Sequence, residues 1–156
     1  MSSLDESILQ AVKGLRGISV FVFFGSRARG DHRPDSDLDV AILPESQDPR
    51  TRRYLLCGVA VALADLVPEG WVHVVFLDQI DDVLRMRVME HGRVLINRNP
   101  EAWKELRVRT MREYGDREWV RNLYIEARKQ RLLRGELSGG TPKALESLRR
   151  IGKWPR

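Results

Sequence analysis

Leu4, Ile8, Ala11, Val12 and Leu15 recur at three- and four-residue spacing, so residues 3–15 read as an amphipathic helix. The period then changes. Residues 18–24, ISVFVFF, are continuously apolar, β-branched and aromatic, the signature of a strand buried on both faces. Gly25 breaks it. SDLDVAIL, 36–43, reads as a second strand that stops at Pro44. Residues 50–67 form a long apolar helix, and Gly70 ends the connection. WVHVVFL, 71–77, is a third strand, residues 79–91 a helix ending at Gly92, and RVLI, 93–96, a short edge strand. Asp78 is expected to cap the helix at 79–91. Asn99 followed by Pro100 gives a cap and a first helical residue, which predicts a helix to about Tyr114. Asp116 is expected to cap one more, ending at Gly135. ELSGGTPKAL is a linker, with Thr141 and Pro142 opening a short last helix. The order predicts an α+β fold: a small mixed sheet flanked by helices, then a C-terminal helical hairpin. The expected organisation is a core at 1–98, a helical extension packed on it at 99–135, and a linker with a short basic tail at 136–156.

Composition narrows the class. With 156 residues and 42% hydrophobic, the chain can bury a core and is not disordered throughout. No apolar run approaches the roughly 20 residues that span a bilayer. MSSLDESILQ carries acids where a secretory leader carries bases, so a cytoplasmic protein without membrane partners is expected. The single cysteine, Cys57, lies in the apolar run YLLCGVAVALADLV and is expected to be a buried structural thiol.

Charge is uneven. Residues 1–100 carry 12 of the 27 Lys and Arg and 14 of the 22 Asp and Glu, a net of −2. Residues 101–156 carry the remaining bases and acids, a net of +7. Such a tail faces nucleic acid, an acidic protein or only water, and the solvated face is the expected reading over nucleic-acid binding. Trp103, Tyr114, Trp119 and Tyr124 sit at helical spacings that suit closure of a core, a partner surface, or both.

The chemistry concentrates in FFGSRARGDHRPDSDLDVAIL, residues 23–43. Asp37 and Asp39 are two apart on a strand, which puts two like charges on one face. Such a pair opposes folding unless neutralised, and a divalent cation is the obvious neutraliser. Gly25 at a strand end permits close approach to the backbone, and Ser26 offers a hydroxyl beside amides that favour anions. A phosphate-holding turn beside two carboxylates suits a nucleoside triphosphate with its cation.

These residues resemble the signature of the DNA polymerase β-like nucleotidyltransferases: an apolar residue, Gly-Ser, about ten residues, then Asp-x-Asp. Phe24, Gly25, Ser26, Asp37, Leu38, Asp39 and Val40 match in order. The chain is still more similar to the minimal nucleotidyltransferases, the MNT proteins, whose pattern is G-S-x-A-R-G, five variable residues and S-D-x-D. Here it reads GSRARG, DHRPD, SDLD. The resemblance spans roughly residues 5–135 and is strongest at 24–43. It implies a nucleotidyltransferase fold and transfer of AMP from ATP to an acceptor. MNT proteins are antitoxins paired with HEPN-domain RNase toxins, so the implied acceptor is a tyrosine of a HEPN partner. Asp37 and Asp39 are then metal and catalytic residues for Mg²⁺, with Mn²⁺ equally suited to oxygen ligands. Gly25, Ser26, Arg27, Arg29 and Ser36 are the implied nucleotide-binding residues.

The family's third carboxylate falls on the next strand, and here VHVV puts His73 in its place. His73 is expected either to serve the site as ligand or base, or to be a structural histidine where chemistry has been lost. Three functional readings follow. They are a protein adenylyltransferase, a small-molecule nucleotidyltransferase of the antibiotic-modifying kind, and a partner-binding protein with impaired catalysis.

Overall fold

A computed structural model of the chain describes residues 3–33, 35–67 and 71–134. The elements are α1 (Ser3–Val12), β1 (Ile18–Phe24), α2 (Gly25–Arg29), β2 (Leu38–Pro44), α3 (Pro49–Leu63), β3 (Val72–Phe76), α4 (Asp82–His91), β4 (Arg93–Asn97), α5 (Pro100–Asp116) and α6 (Glu118–Leu133). A single 3₁₀ turn, Ala64–Leu66, extends α3. The chain forms two compact units, one ending at Tyr114 and the other beginning at Gly115.

The sheet has four strands in the order β3-β2-β1-β4. β1 runs antiparallel to both neighbours, whereas β2 and β3 are parallel. A parallel pair needs a crossover, and α3 supplies it. β4 occupies the edge the sequence expected for it.

Alternation along β1 explains its unbroken apolar run. Phe21 and Phe23 pack with Ile8 and Val12 of α1 and with Leu55, Val59 and Leu63 of α3. Val20 and Val22 face the other way, into a smaller cluster with Ala41, Leu77, Val88 and Leu106. A central strand covered on both faces leaves no room for a long polar side chain, and its one polar residue, Ser19, is small and buried. The mixed sheet flanked by helices is therefore the α+β fold that the pattern predicts.

Several local expectations change. α1 stops at Val12, and β2 starts at Leu38, two residues late. Ahead of it the Ser36 N–H donates to the Arg33 carbonyl at 3.1 Å instead of joining the sheet. α4 begins at Asp82, because residues 77–80 turn back on β3 through bonds from Gln79 N and Ile80 N to the Phe76 carbonyl. Asp81, not Asp78, caps it, accepting from Leu84 N at 2.8 Å. Asp116 is the last residue of α5 and not the cap of α6, which follows after Arg117 alone. Asn99 does cap α5, accepting from Ala102 N at 3.0 Å. Cys57 is exposed. α3 buries one stripe, Leu55, Val59 and Leu63, and a residue two positions from each of the first two lies on the opposite side of a 3.6-residue turn. The expected breaks at Gly70 and Gly135 and the linker and tail at 136–156 lie outside the described residues.

Candidate active site

β1, β2 and β3 each deliver one part of the site at neighbouring positions. β1 ends at Phe24, which pairs with Asp39 on β2. Gly25 follows with φ +82°, a left-handed conformation that favours glycine. It is also pressed against Asp39: a Cβ at Gly25 would lie 2.8 Å from Asp39 Cγ and 2.9 Å from its Cβ, with a carboxylate oxygen closer still. The glycine therefore admits the half-buried carboxylate to the strand end. Ser26, Arg27, Ala28 and Arg29 complete the short α2, closed by left-handed Gly30, whose N–H returns to the Ser26 carbonyl at 2.9 Å.

On β2, Leu38 and Val40 are buried in the α1/α3 cluster, which turns Asp39 toward the other face. Asp37 lies just ahead of the strand and is exposed. Its Oδ1 accepts from Trp71 N at 3.0 Å, while Leu38 N donates to the Trp71 carbonyl at 2.8 Å. The Trp71 backbone thus fixes the approach to β2, a role that no sequence pattern around Trp71 signals.

β3 pairs with β2 so that His73 stands opposite Asp39. Its Nδ1 lies 3.2 Å from Asp39 Oδ1, within hydrogen-bond reach, and the ring is 60% exposed. Asp78 stands apart from the site. It takes two bonds from Arg52 of α3, one of them 3.1 Å from Nη1 to Oδ1, and both side chains are largely buried. These bonds raise the Arg52 guanidinium above its ordinary pKa, against the lowering effect of desolvation.

The arginines divide their work. Arg27 Nε donates to the Ser36 carbonyl at 2.7 Å and holds the loop before β2. Arg29 is exposed and paired with Asp31 at 3.2 Å. The Ser36 hydroxyl accepts from Arg33 N at 2.9 Å, so it closes its own turn.

Among the described residues no three His, Cys, Asp or Glu side chains form a ready-made metal cage. Two carboxylates nevertheless fit a Mg²⁺ or Mn²⁺ ion that arrives on a triphosphate. Such an ion takes one or two protein carboxylates and fills its shell with phosphate oxygens and water. Oδ2 of Asp37 and of Asp39 accepts no hydrogen bond among the described residues, which leaves both oxygens for that purpose.

The family model described as polymerase beta, nucleotidyltransferase matches residues 6–101. The chain belongs to this nucleotidyltransferase family. The matched span contains the whole arrangement from Gly25 to His73. Solved structures show the same nucleotidyltransferase fold. A chain of the crystal structure of a toxin–antitoxin with AMP-PNP is 23% identical, with a TM-score of 0.60 over 78% of this chain and 95% of that one. A chain of the toxin–antitoxin MntA–HepT is 21% identical, at a TM-score of 0.55 and coverages of 78% and 93%. A chain from tri-AMPylated Shewanella oneidensis HEPN toxin in complex with MNT antitoxin is 21% identical, at 0.56 and coverages of 78% and 92%. No curated protein sequence matches the chain. Among the described residues no helix is long and apolar enough to cross a membrane.

Proposed function

We propose that this nucleotidyltransferase moves AMP from ATP to a hydroxyl of a partner protein, a HEPN-domain toxin whose tyrosine is the acceptor. The observation that carries the reading is the packing of Asp39 against Gly25. It sets a carboxylate beside a glycine turn that can approach a phosphate with bare backbone. The fold shared with chains of complexes described as holding AMP-PNP and an AMPylated HEPN toxin supports the choice of nucleotide and acceptor.

In this reading the Gly25–Ser26 turn holds the terminal phosphates through backbone amides and the Ser26 hydroxyl. Arg29 is near enough in sequence and exposed enough to add positive charge, while Arg27 keeps the Ser36 loop in place. Asp37 and Asp39 hold the cation, and that cation supplies charge neutralisation on the triphosphate when bound. The acceptor oxygen forms a bond to the α-phosphorus as the bond to the β-phosphate bridge breaks. Pyrophosphate leaves and the hydroxyl proton is released. ATP and a divalent cation are therefore the small partners, and the HEPN protein the large one.

A second reading, partner binding without turnover, draws on one feature: His73 stands where the family pattern places a third carboxylate.

The deciding experiment is intact-mass spectrometry of the HEPN-domain protein from the same source after incubation with this chain, ATP and Mg²⁺ or Mn²⁺. The expected result is a mass increase by one or more AMP units, abolished by Asp37→Asn or Asp39→Asn with the fold retained. A stable complex with no mass change under either cation would favour the second reading. Near wild-type transfer by either variant would overturn the site assignment.

A further inference from the structure

We propose that the indole of Trp71 is the platform on which the ring of the acceptor tyrosine stacks. The inference rests on the proposed nucleotide site and names the residue that receives the acceptor there.

The fold makes no use of the Trp71 side chain. The residue is 81% exposed, packs with neither buried cluster, and its indole has no hydrogen bond or ring contact among the described residues. Its backbone is the opposite case. The N–H donates to Asp37 Oδ1 at 3.0 Å, and the carbonyl accepts from Leu38 N at 2.8 Å. A large apolar ring is thus anchored beside one of the two proposed cation carboxylates while adding nothing to the core. Tryptophan is enriched among the residues that carry binding energy to a partner, and this is a position from which it can do so.

Alternation sets the face. Val72, Val74 and Phe76 pack against the α1/α3 cluster, and Val75 packs against the other. The Trp71 carbonyl already belongs to the ladder between β2 and β3, so the alternation extends back one residue. It puts Trp71 on the face of His73 and Asp39.

In-line displacement then decides which part of the reaction meets the indole. The acceptor oxygen and the leaving pyrophosphate stand on opposite sides of the α-phosphorus. The proposed phosphate turn follows β1, and the carboxylates come from β2. β3 lies beyond β2, about 10 Å from β1 across two strand spacings. Pyrophosphate on the β1 side therefore brings the acceptor in from the β3 side, where Trp71 stands. The sugar and base hang from a different oxygen of the α-phosphorus, off that line. A tyrosine ring offers the indole a face or an edge, whereas an aliphatic hydroxyl offers neither.

The test separates acceptor from nucleotide. AMP transfer to the HEPN-domain protein from the same source is followed by intact mass at varied acceptor concentration, for wild type, Trp71→Phe and Trp71→Ala. AMP-PNP affinity and the unfolding midpoint are measured for each. Trp71→Ala is expected to lower kcat/KM for the acceptor about 3- to 10-fold, the factor that an aromatic pair supplies. Affinity for AMP-PNP and the midpoint should stay unchanged, and Trp71→Phe, which keeps a ring, should retain most of the wild-type value. A loss of AMP-PNP affinity equal to the loss in transfer would place the base on the indole, overturning the inference and leaving the nucleotide site standing. Unchanged kcat/KM in Trp71→Ala would overturn it too. No transfer by wild type would overturn both this inference and the proposed function. A second measurement uses the wild-type chain with AMP-PNP and Mg²⁺. The indole N–H signal of Trp71, identified by its absence in Trp71→Phe, should shift with N-acetyltyrosinamide and not with N-acetylserinamide. Equal response to the two amides, or none, would overturn the inference even where Trp71→Ala fails to fold.

Discussion

Gly25 satisfies two conditions that no other described residue meets together. Its φ is positive, and Asp39 occupies the space a Cβ would fill. A left-handed conformation costs an L-residue about 1–2 kcal/mol, and the collision adds to that or pushes the carboxylate aside. Gly25→Ala is expected to lower stability by roughly 2 kcal/mol in urea unfolding. It should also abolish AMP transfer in the intact-mass assay, since Asp39 cannot stay where it is. A variant with full transfer and reduced stability would separate the backbone from the chemistry. Ser26 divides its groups: its carbonyl closes α2 onto Gly30, and its hydroxyl is the group the proposed phosphate grip uses.

At the scale of elements, β3 carries His73 yet is the least protected strand. It lies at a sheet edge, bonded on one side to β2, and none of its five residues is fully buried. Both of its ends are fastened instead. Before it, the Trp71 backbone bonds Asp37 and Leu38. After it, Asp78 is held by Arg52, whose guanidinium also lies 5.0 Å over the Phe76 ring. Removing one partner of a largely buried pair leaves the other uncompensated. Arg52→Ala is therefore expected to cost about 3 kcal/mol of stability and to speed amide hydrogen exchange along Val72–Phe76. Unchanged exchange there would show that β2 pairing alone holds the strand. The pair also shows why Asp78 fails as a helix cap: the arginine one helix away binds both of its oxygens.

At the scale of the molecule, both buried clusters and every proposed site residue belong to the unit that ends at Tyr114. α6 has no buried residue, and Trp119, Ile125, Leu132 and Leu133 are exposed on it. A chain ending at Asp116 is expected to unfold cooperatively, with a stability within about 1 kcal/mol of the full chain, and to bind AMP-PNP. Calorimetric unfolding and equilibrium binding check this. Loss of cooperative unfolding would mean that the core needs residues beyond α5.

Much of this was legible in the chain because it depends on local order. The change of period at Ile18, the break at Gly25 and the Asn99–Pro100 start of α5 are matters of backbone sterics and hydrogen bonding between near neighbours. The same holds for the GSRARG…SDLD spacing, which marked the candidate site before any strand was paired. Positions that depend on what lies across the fold were not legible. Cys57 reads as core in an apolar run, but only the packing of α3 on the sheet decided which stripe of that run is covered. Asp78 reads as the cap of the helix at 79–91, but Arg52 takes its carboxylate and Asp81 caps α4 instead. The sequence by itself determined that a strand–glycine–helix turn and a pair of aspartates lie close together along the chain, the pattern proposed to take a phosphate and a cation. Only the tertiary structure decided that β3 runs parallel to β2 in the register that sets His73 against Asp39, because strand pairing is fixed by burial of side chains far apart in the chain.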